Sequence, residues 1–414
     1  DWRFHRELQR CIKKAYYSAA SRATGKEAPW GAMTGIRPVK VPVKLISEGR
    51  TREEAEGILR DEYFVSPEKA ALAIETAEAS IRAKESLEKN DVSLYVGIPF
   101  CPTRCSYCSF VSSSVQKSLG LIEPYLEALF KEIEAAARLV QEAGLRIVTV
   151  YIGGGTPTTL NALQLEALLT KLRREFDFSS VREFTVEAGR ADTIDEDKLR
   201  AIKAGGVNRI SINPQTMDDN VLRAAGRSHT TEQVEKAFEI ARQVGFDVIN
   251  ADLIAGLPTD TPEGFRRSLG RLLSLRPENV TVHTLALKKG SKLSEGGFLP
   301  SEEDVRAMLE TSEKLLRAAD YGPYYLYRQK FTAGNFENLG WCLPGTESLY
   351  NICIMEELHT IISLGGGGVT KLVAPKCGRI ERIFNAKYPY EYINAIQKEI
   401  EAKEYLKTFL NRYE

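Results

Sequence analysis

Three cysteines lie within eight consecutive residues of the stretch "LYVGIPFCPTRCSYCSFVSS", which covers 94–113. Three residues separate Cys101 from Cys105, and two separate Cys105 from Cys108. Closely spaced thiolates without a histidine among them could bind zinc, hold an iron–sulfur cluster or exchange disulfides. Each of these chemistries makes a different demand on the rest of the chain.

The spacing favours an iron–sulfur cluster over the other two chemistries, without excluding them. A closed zinc site needs four ligands, usually as two separated pairs, and no second cysteine pair follows. The four histidines are scattered along the chain at His5, His229, His283 and His359. Disulfide exchange would use Cys105 and Cys108 and leave Cys101 unexplained. A cubane cluster normally takes four thiolates, so three would leave one iron open to a small molecule.

The other four cysteines are predicted to be ordinary thiols, because free cysteine usually behaves as a small hydrophobic residue. They are Cys11, Cys342, Cys353 and Cys377. An odd total of seven, in a chain too large to need disulfide staples, indicates a reducing compartment. We therefore expect a cytoplasmic protein.

The composition is that of an ordinary globular protein. Of 414 residues, 43% are hydrophobic and 27% are charged, with 56 basic and 56 acidic side chains. This balance gives no net attraction to nucleic acid, so no nucleic-acid partner is expected. No apolar run is long enough to span a membrane, and the chain does not open with a signal sequence.

From Val92 onward, short apolar runs alternate with longer helical patterns. Six strand–helix units in series predict parallel strands with right-handed crossovers. The predicted strands end in glycine or polar residues, namely Gly153–Gly155, Glu187, Asn213 with Gln215, Asp252 and His283. In a barrel such ends converge on one face, whereas in an open sheet they spread along a line. The sequence therefore predicts an α/β fold with a partial (β/α)6 barrel of the TIM type.

Three domains are predicted around this barrel: an N-terminal helical domain (1–90), the barrel itself (91–289) and a C-terminal α+β cap (290–414). In the first domain, Thr51 with Glu54 reads as a capping box at a helix start. Ser66 followed by Pro67 reads as a second helix start.

The glycine run at the end of the second predicted strand could form part of a binding site. Glycines at 153–155 let a ligand approach the backbone closely, and exposed N–H groups there could meet a carboxylate. A mere tight turn would leave the same pattern, so the run alone is weak evidence.

The cysteine spacing, with the aromatic Tyr107 just before the last cysteine, resembles the motif of the radical S-adenosylmethionine (SAM) enzymes. In that superfamily three thiolates hold a [4Fe–4S] cluster, and the methionyl amine and carboxylate of SAM chelate the fourth iron. The resemblance is closest to the coproporphyrinogen dehydrogenase branch, the oxygen-independent coproporphyrinogen III oxidases. It rests on "LYVGIPFC", "YIGGGTP", "RISINPQT" and "DLIAGLP", in matching order, and on the "GR" that ends at Arg227. "WGAMTGIRPVK" (30–40) further suggests the Gram-positive subgroup.

The resemblance implies cluster ligands and a methionyl pocket. The ligands would be Cys101, Cys105 and Cys108. Tyr95 would line the SAM pocket beside the cluster, and Glu187 would accept hydrogen bonds from bound SAM; these two are the candidate catalytic residues. The methionyl moiety would meet Gly154, Gly155 and Thr156.

The same resemblance assigns the rest of the SAM pocket. Gln215 and Arg227 would complete it, with the arginine paired to the SAM carboxylate. Asp252 would hold the ribose hydroxyls. Ile254 and Ala286 would lie against the adenine.

The implied reaction is reductive cleavage of SAM. An external one-electron donor such as flavodoxin or ferredoxin reduces the cluster, which cleaves SAM to methionine and a 5′-deoxyadenosyl radical. In the dehydrogenase the radical abstracts hydrogen from two propionates of coproporphyrinogen III, which lose carbon dioxide and become vinyl groups in haem biosynthesis. A tetrapyrrole substrate needs cationic partners and a wide aromatic pocket. The candidates for that pocket are Tyr324, Tyr325, Tyr327 and Arg328.

Two departures from the dehydrogenase pattern keep other functions open. Phe110 stands where the dehydrogenases carry a fourth cysteine, and Gly97 stands where they carry a histidine. A phenylalanine after the motif is typical of the haem-chaperone relatives, which bind haem. The alternatives are therefore a haem-binding chaperone, or a radical methyltransferase that uses a second SAM on another substrate.

Overall fold

The computed structural model describes residues 2–108, 113–114, 118–288 and 290–413. Its strands are β1 (Asp91–Ile98), β2 (Phe100–Cys101), β3 (Ser113–Ser114), β4 (Arg146–Gly154), β5 (Glu183–Glu187), β6 (Arg209–Ser211), β7 (Val248–Ala255), β8 (Asn279–Thr284), β9 (Gly322–Arg328), β10 (Glu337–Cys342), β11 (Ile361–Leu364), β12 (Val369–Ala374) and β13 (Arg379–Phe384).

The α-helices span Trp2–Thr24, Lys40–Ser47, Arg52–Tyr63, Pro67–Glu85, Ile122–Glu142, Ala162–Glu175, Glu196–Ala204, Asp219–Ala224, Thr231–Val244, Pro262–Ser274, Lys292–Glu295, Glu302–Ala318, Leu349–Glu356, Pro389–Lys403 and Tyr405–Tyr413. Short 3-10 turns lie at Leu119–Leu121, Pro157–Thr159, Ala191–Thr193 and Ala333–Asn335. Within the described ranges, no helix is both long and apolar enough to cross a bilayer.

The predicted partial barrel is confirmed. Strands β1, β4, β5, β6, β7 and β8 pair in this order, each parallel to the next, and helices connect them. The β1 and β8 edges do not pair with one another. The barrel is therefore open along one side.

The C-terminal part of the chain extends both edges of the same sheet. Strand β10 pairs antiparallel with β8 and is followed by β9, while β11 pairs parallel with β1 and is followed by β12 and β13. Between β10 and β11 the chain must therefore cross from one edge of the barrel to the other. The predicted boundaries near 90 and 289 stay predictions.

Alternation along the barrel strands separates an apolar outer face from a polar inner face. The outward side chains join the buried core with the surrounding helices; examples are Leu94, Val96, Val150, Ile152, Phe184, Val186, Ile210, Leu253, Val280 and Val282. The side chains between them line an interior cavity; they include Tyr95, Tyr151, Glu187, Asn250, Asp252, Thr281 and His283. Burial of the outer face by helices drives the fold, and the inner face is left for chemistry.

The segment that crosses the barrel is anchored to the amino ends of two strands. Glu183 of β5 accepts hydrogen bonds from Ser348 Oγ (2.8 Å) and from the backbone N–H of Leu349 (2.7 Å). Arg209 of β6 donates from Nη2 to the carbonyl oxygens of Thr346 (2.7 Å) and Glu347 (3.1 Å). These bonds fix the start of the helix Leu349–Glu356 below the cavity.

The N-terminal helices begin where the sequence predicts. Thr51 and Glu54 form a reciprocal capping box, and Ser66 caps the helix that starts at Pro67, so both predictions are confirmed. Trp30, in the loop that precedes them, donates from Nε1 to Glu337 of β10 at 2.7 Å. The N-terminal segment is thus tied to the barrel's β8 edge.

Candidate active site

One cavity of about 640 Å³ lies at the carboxyl ends of the barrel strands and continues into the interior. All the site residues predicted from the sequence line it: Tyr95, Cys101, Cys105, Cys108, Gly154, Gly155, Thr156, Glu187, Gln215, Arg227, Asp252, Ile254 and Ala286. The fold therefore gathers residues that are spread over almost 200 positions of the chain. Their individual roles stay predictions.

The cysteine loop follows β1 and is held by backbone hydrogen bonds on two sides. The N–H of Ser106 donates to the carbonyl of Ala225 at 3.0 Å, and the N–H of Leu293 donates to the carbonyl of Ser106 at 3.1 Å. Within the loop, the N–H of Cys108 donates to the carbonyl of Cys105 at 3.2 Å. Neighbouring loops thus set the position of the three thiols at the cavity.

Cys105 is the most enclosed of the three thiols, and Cys101 and Cys108 are partly exposed. Among the described residues, no three His, Cys, Asp or Glu side chains have the spacing that a single metal ion requires. A four-iron cluster makes a different demand, because each thiolate binds a separate iron. The donor set of three thiols fits such a cluster.

Arg227 ties the cysteine loop to the ends of the barrel strands. Its Nη2 donates to the carbonyl oxygens of Gly189 and Asn213, each at 2.8 Å. Its Nη1 donates to the hydroxyl of Tyr107 at 2.9 Å and lies 3.8 Å from Cys105 Sγ. The guanidinium is buried, and its Nε has no partner. Only that Nε is left over for a ligand, so the arginine's main visible role is to hold the loop.

The glycine run after β4 is required by close backbone contacts. Gly154 has a φ of +114°, a conformation that glycine adopts without strain. A Cβ at Gly155 would lie 2.5 Å from the carbonyl oxygen of Phe100, just before the first cysteine. A Cβ at Gly153 would lie 3.1 Å from Oε2 of Glu187. The glycines let the second strand approach both the cysteine loop and the candidate acid.

The expectation of exposed N–H groups at this turn is wrong for Gly155 and for Thr156, which follows the glycine run. The N–H of Gly155 donates to the carbonyl of Ile98 at 2.8 Å, and the N–H of Thr156 donates to the carbonyl of Phe100 at 2.7 Å. One donor holds the end of β1, and the other holds the start of the cysteine loop, to the turn after β4. The Thr156 hydroxyl, in turn, lies 3.6 Å from Cys101 Sγ.

Glu187 lies inside the cavity with an altered acidity. The pKa of its carboxyl is raised to about 7, chiefly by burial and to a smaller extent by nearby Asp252, although a hydrogen bond from Tyr151 opposes the shift. The Tyr151 hydroxyl donates to Oε1 of Glu187 at 2.5 Å. A carboxyl that titrates near neutrality in a cavity is a frequent property of functional sites.

Gln215 presents an unsatisfied acceptor to the cavity. Its φ is +70°, unusual for a residue with a side chain. Its N–H donates to the carbonyl of Asp252, and its own carbonyl accepts from the N–H of Ile254, so β7 holds this conformation. The buried side-chain Oε1 has no partner. A buried acceptor without a donor fits an absent ligand that carries amine or hydroxyl groups.

Asp252 and His283 face each other across two neighbouring strands. Oδ1 of Asp252 accepts from Nδ2 of Asn250 at 2.9 Å, and Oδ2 lies 3.5 Å from Nε2 of His283. Nδ1 of His283 lies 3.4 Å from the Tyr327 hydroxyl. This polar row fits ribose hydroxyls on the Asp252 side.

Ile254 lies in a small apolar cluster with Leu257 and Leu285, which Tyr107 also contacts. Ala286 follows directly and pairs with Thr332 through an isolated antiparallel bridge. An apolar wall of this kind fits an adenine ring.

A stack of tyrosines inside the cavity was not predicted. The rings of Tyr151 and Tyr350 lie 4.5 Å apart at 18°, and that of Tyr95 lies 6.2 Å from Tyr151. The alternation of β4 could have indicated Tyr151, which lies two residues before Gly153. Nothing in the sequence places Tyr350 there, since the crossing helix brings it from the C-terminal part.

The four tetrapyrrole candidates divide into two pairs. Tyr325 and Tyr327 line the cavity. Tyr324 is buried behind them, where its hydroxyl accepts from Asn351 Nδ2 at 3.1 Å. Arg328 stacks over Trp30 at 5.8 Å and donates to the carbonyl oxygen of Asn335. Among the described residues that line the cavity, Tyr324 and Arg328 do not occur.

Comparison with known proteins agrees with this geometry. Residues 95–272 match the family model described as "Radical SAM superfamily". The chain is 39% identical over 393 residues to the oxygen-independent coproporphyrinogen-III oxidase-like protein HemZ of Bacillus subtilis, covering 94% of this chain and 78% of the relative. It is 32% identical over 324 residues to the heme chaperone HemW of the same organism, covering 75% and 81%.

A solved structure of similar architecture is coproporphyrinogen III oxidase (HemN) of Escherichia coli, described as a radical SAM enzyme. The TM-score is 0.61 at 25% identity, covering 78% of this chain and 73% of that one. The chain belongs to the radical SAM superfamily, in the family of coproporphyrinogen III oxidase-like proteins, and such proteins use a [4Fe–4S] cluster and SAM.

Proposed function

We propose that this protein is a radical SAM oxidoreductase that oxidatively decarboxylates two propionates of coproporphyrinogen III. Each propionate would lose one hydrogen atom, one electron and carbon dioxide to become a vinyl group, and the electron would pass to an external one-electron acceptor. The observation that carries the proposal is the shared cavity: the cysteine loop, the glycine turn and a tyrosine-lined interior open into one space. The name of the HemZ relative and the solved HemN structure suggest the substrate.

The residues present fit both cofactors. Cys101, Cys105 and Cys108 would hold the cluster, and the unpartnered Oε1 of Gln215 would accept from SAM. Bound together, the cluster and SAM supply reductive cleavage that yields a 5′-deoxyadenosyl radical, with an external donor such as flavodoxin or ferredoxin providing the electron.

The chain's own residues would position the reactants and keep water out. Glu187, held by Tyr151, would accept hydrogen bonds from SAM when its carboxyl is ionised. Asp252 would hold ribose hydroxyls beside His283. The stacked rings of Tyr95 and Tyr350 line the cavity and reduce the room for water there.

The test is anaerobic turnover of coproporphyrinogen III by the reconstituted, reduced protein with SAM. Release of carbon dioxide with formation of vinyl products is expected. Cys105→Ala should abolish both, whereas Cys377→Ala, at an exposed thiol remote from the loop, should not. Cleavage of SAM without any vinyl product would contradict the substrate but not the radical chemistry.

A haem chaperone is the second candidate, because two observations favour it. HemW of B. subtilis aligns over 75% of the chain, and Phe110 and Gly97 depart from the dehydrogenase pattern. Phe110 lies outside the described residues. Tight haem binding without turnover of coproporphyrinogen III would favour this function over the first.

A further inference from the structure

Four cationic side chains surround one buried carboxylate, Glu357, near the cavity. Arg37 Nη1 lies 2.7 Å and Lys40 Nζ 2.5 Å from its oxygens. Arg382 Nη2 lies 3.3 Å and Lys371 Nζ 3.7 Å from Oε1. Arg37 and Lys40 belong to the "GIRPVK" stretch, for which the cofactor site gives no role.

The positive charge of this group exceeds the negative charge within it. The neighbouring Glu356 is buried, which raises the pKa of its carboxyl to about 7, although Lys40 and Arg37 oppose the shift. Even with Glu356 ionised, four cations face two carboxylates. Arg37 and Lys40 make the shortest contacts to Glu357. Lys371 makes the longest, and its ion pair with Glu357 is therefore the weakest of the group.

Lys371 is the member of this group that lines the cavity. It is 9% exposed, and its Nζ donates to the carbonyl of Ile354, another cavity residue, at 3.1 Å. The pKa of this amine is lowered to about 8, chiefly by burial and then by Arg37, although Glu357 opposes the shift. The carboxylate closest to this ammonium, Glu357, lies 3.7 Å away and is shared with three other cations, so a ligand carboxylate in the cavity would supply countercharge that the group lacks.

The strand register places Lys371 far from the cysteine loop. It pairs with Ile361 of β11, which pairs with Ser93 near the start of β1. The cysteine loop follows the other end of β1, beyond Ile98. Ser93, which is level with Lys371, and Ile98, which precedes the cysteine loop, are five residues apart, or about 16 Å along the strand axis. A ligand that spans this distance would carry its anionic group well away from the atom that reacts near the cluster.

We propose that Lys371 anchors a carboxylate-binding subsite, which takes a propionate of the tetrapyrrole other than the one that reacts. Arg37 and Lys40 hold Glu357 and so leave Lys371 available to the ligand. This inference rests on the proposed function for its choice of ligand. It gives the "GIRPVK" stretch the role of a support for substrate recognition.

The test compares an acid with its uncharged ester. Binding of coproporphyrin III, the stable oxidised form, and of its tetramethyl ester is measured on anaerobic holoprotein by porphyrin fluorescence. Lys371→Met should weaken binding of the acid by about tenfold or more, which is the range for loss of a buried charge-assisted pair. Binding of the ester should stay unchanged, and Lys371→Arg should restore most of the acid binding.

Lys398→Met, at an exposed lysine on the helix Pro389–Lys403, is the matched control and should bind both porphyrins as the original protein does. Equal loss of acid and ester in Lys371→Met would indicate a packing defect and overturn the proposal. Unchanged binding of the acid would overturn it as well.

The same variants show whether the subsite and the proposed function fail together or separately. Turnover of coproporphyrinogen III by the original protein, with an unaltered KM in Lys371→Met, would overturn the subsite and leave the function standing. Charge-dependent binding of the acid without turnover would support the subsite and contradict the function. Failure of the original protein to bind the acid at all would overturn the subsite too.

Discussion

Tyr151 and Glu187, on neighbouring strands of the barrel, share a 2.5 Å hydrogen bond inside the cavity. The tyrosine hydroxyl is the donor, so the bond favours the ionised carboxylate and opposes the effect of burial on the pKa of Glu187. The pair therefore sets the pH at which this carboxylate becomes available to a ligand.

Tyr151→Phe should shift the pH dependence of SAM binding upward. In the original protein SAM affinity should rise with pH through about 7, because the ionised Glu187 accepts hydrogen bonds from the ligand more strongly than the protonated carboxyl does. Removal of the hydroxyl raises the pKa of Glu187 further, so the same rise should occur at higher pH. SAM titrations of the anaerobic protein across neutral pH measure both midpoints.

Tyr325→Phe is the control for this shift. Its hydroxyl lies in the same cavity but is 3.2 Å from Thr281 rather than from an acid, so the midpoint should not move. Equal midpoints in Tyr151→Phe and the original protein would show that Glu187 does not govern SAM binding.

Gly155→Ala should disturb the cysteine loop. The new Cβ would lie 2.5 Å from the carbonyl oxygen of Phe100, and rigid backbone on both sides cannot move apart without cost. Overpacking of this kind costs about 1–3 kcal/mol. We expect lower iron and sulfide content after reconstitution and a lower melting temperature.

Gly189→Ala is a matched comparison, because Gly189 lines the same cavity and its nearest neighbour would lie 3.7 Å from the new Cβ. It should retain its cluster content. Full iron content in Gly155→Ala would mean that the loop can shift without losing its ligand geometry.

Glu132→Gln should destabilise the whole fold. Glu132 is fully buried and accepts hydrogen bonds from the N–H of Gly365, from Tyr392 and from Lys403. The substitution leaves the Lys403 ammonium buried without a countercharge. Removal of one partner from a buried ion pair typically lowers the free energy of unfolding by about 3–5 kcal/mol. The free energy of unfolding, measured in denaturant on the same cofactor-free protein, should fall by this amount.

The exposed ion pair of Glu142 and Lys407 is the control for the buried pair of Glu132 and Lys403. Glu142→Gln should leave the denaturation midpoint unchanged, because water screens an exposed ion pair. If the two substitutions changed the free energy of unfolding equally, the hydrogen bonds of Glu132 would contribute little to stability.

Loss of Cys105 should remove the cluster without unfolding the protein. In Cys105→Ala, iron and sulfide incorporation should fall to background, while the circular dichroism of the barrel is retained, since the thiol lies in a loop outside the apolar core. Cys377→Ala should incorporate both normally. An intact cluster in Cys105→Ala would contradict the assignment of all three ligands.

The sequence was most informative where local spacing and strand ends carry the chemistry. The cysteine spacing, the glycine run and the polar residues after each strand were sufficient to predict one shared site, because parallel strands deliver their carboxyl ends to one face. The helix starts at Thr51 and Ser66 could be predicted equally well, because a helix cap involves only residues within one turn of each other.

The sequence was less informative about backbone partners. The N–H groups of Gly155 and Thr156 read as free donors, but they donate to the carbonyl oxygens of Ile98 in β1 and Phe100 in β2. A glycine run indicates a close approach without revealing which neighbour makes it. Arg328 likewise reads as a candidate for propionate binding, whereas a neighbouring ring and a carbonyl hold it outside the cavity.

By itself, the sequence determined the class of fold and the thiol triad, because both depend on periodicity or on spacing along the chain, and the resemblance of its motifs indicated the superfamily. Only the tertiary structure decided what fills the barrel: Tyr350 reaches the stack, and Lys371 reaches the cavity, from the last quarter of the chain. The physical reason is that β10 and β11 pair with opposite edges of the open barrel. The intervening chain has to cross beneath the cavity, and strand pairing between distant segments leaves no local pattern in the sequence.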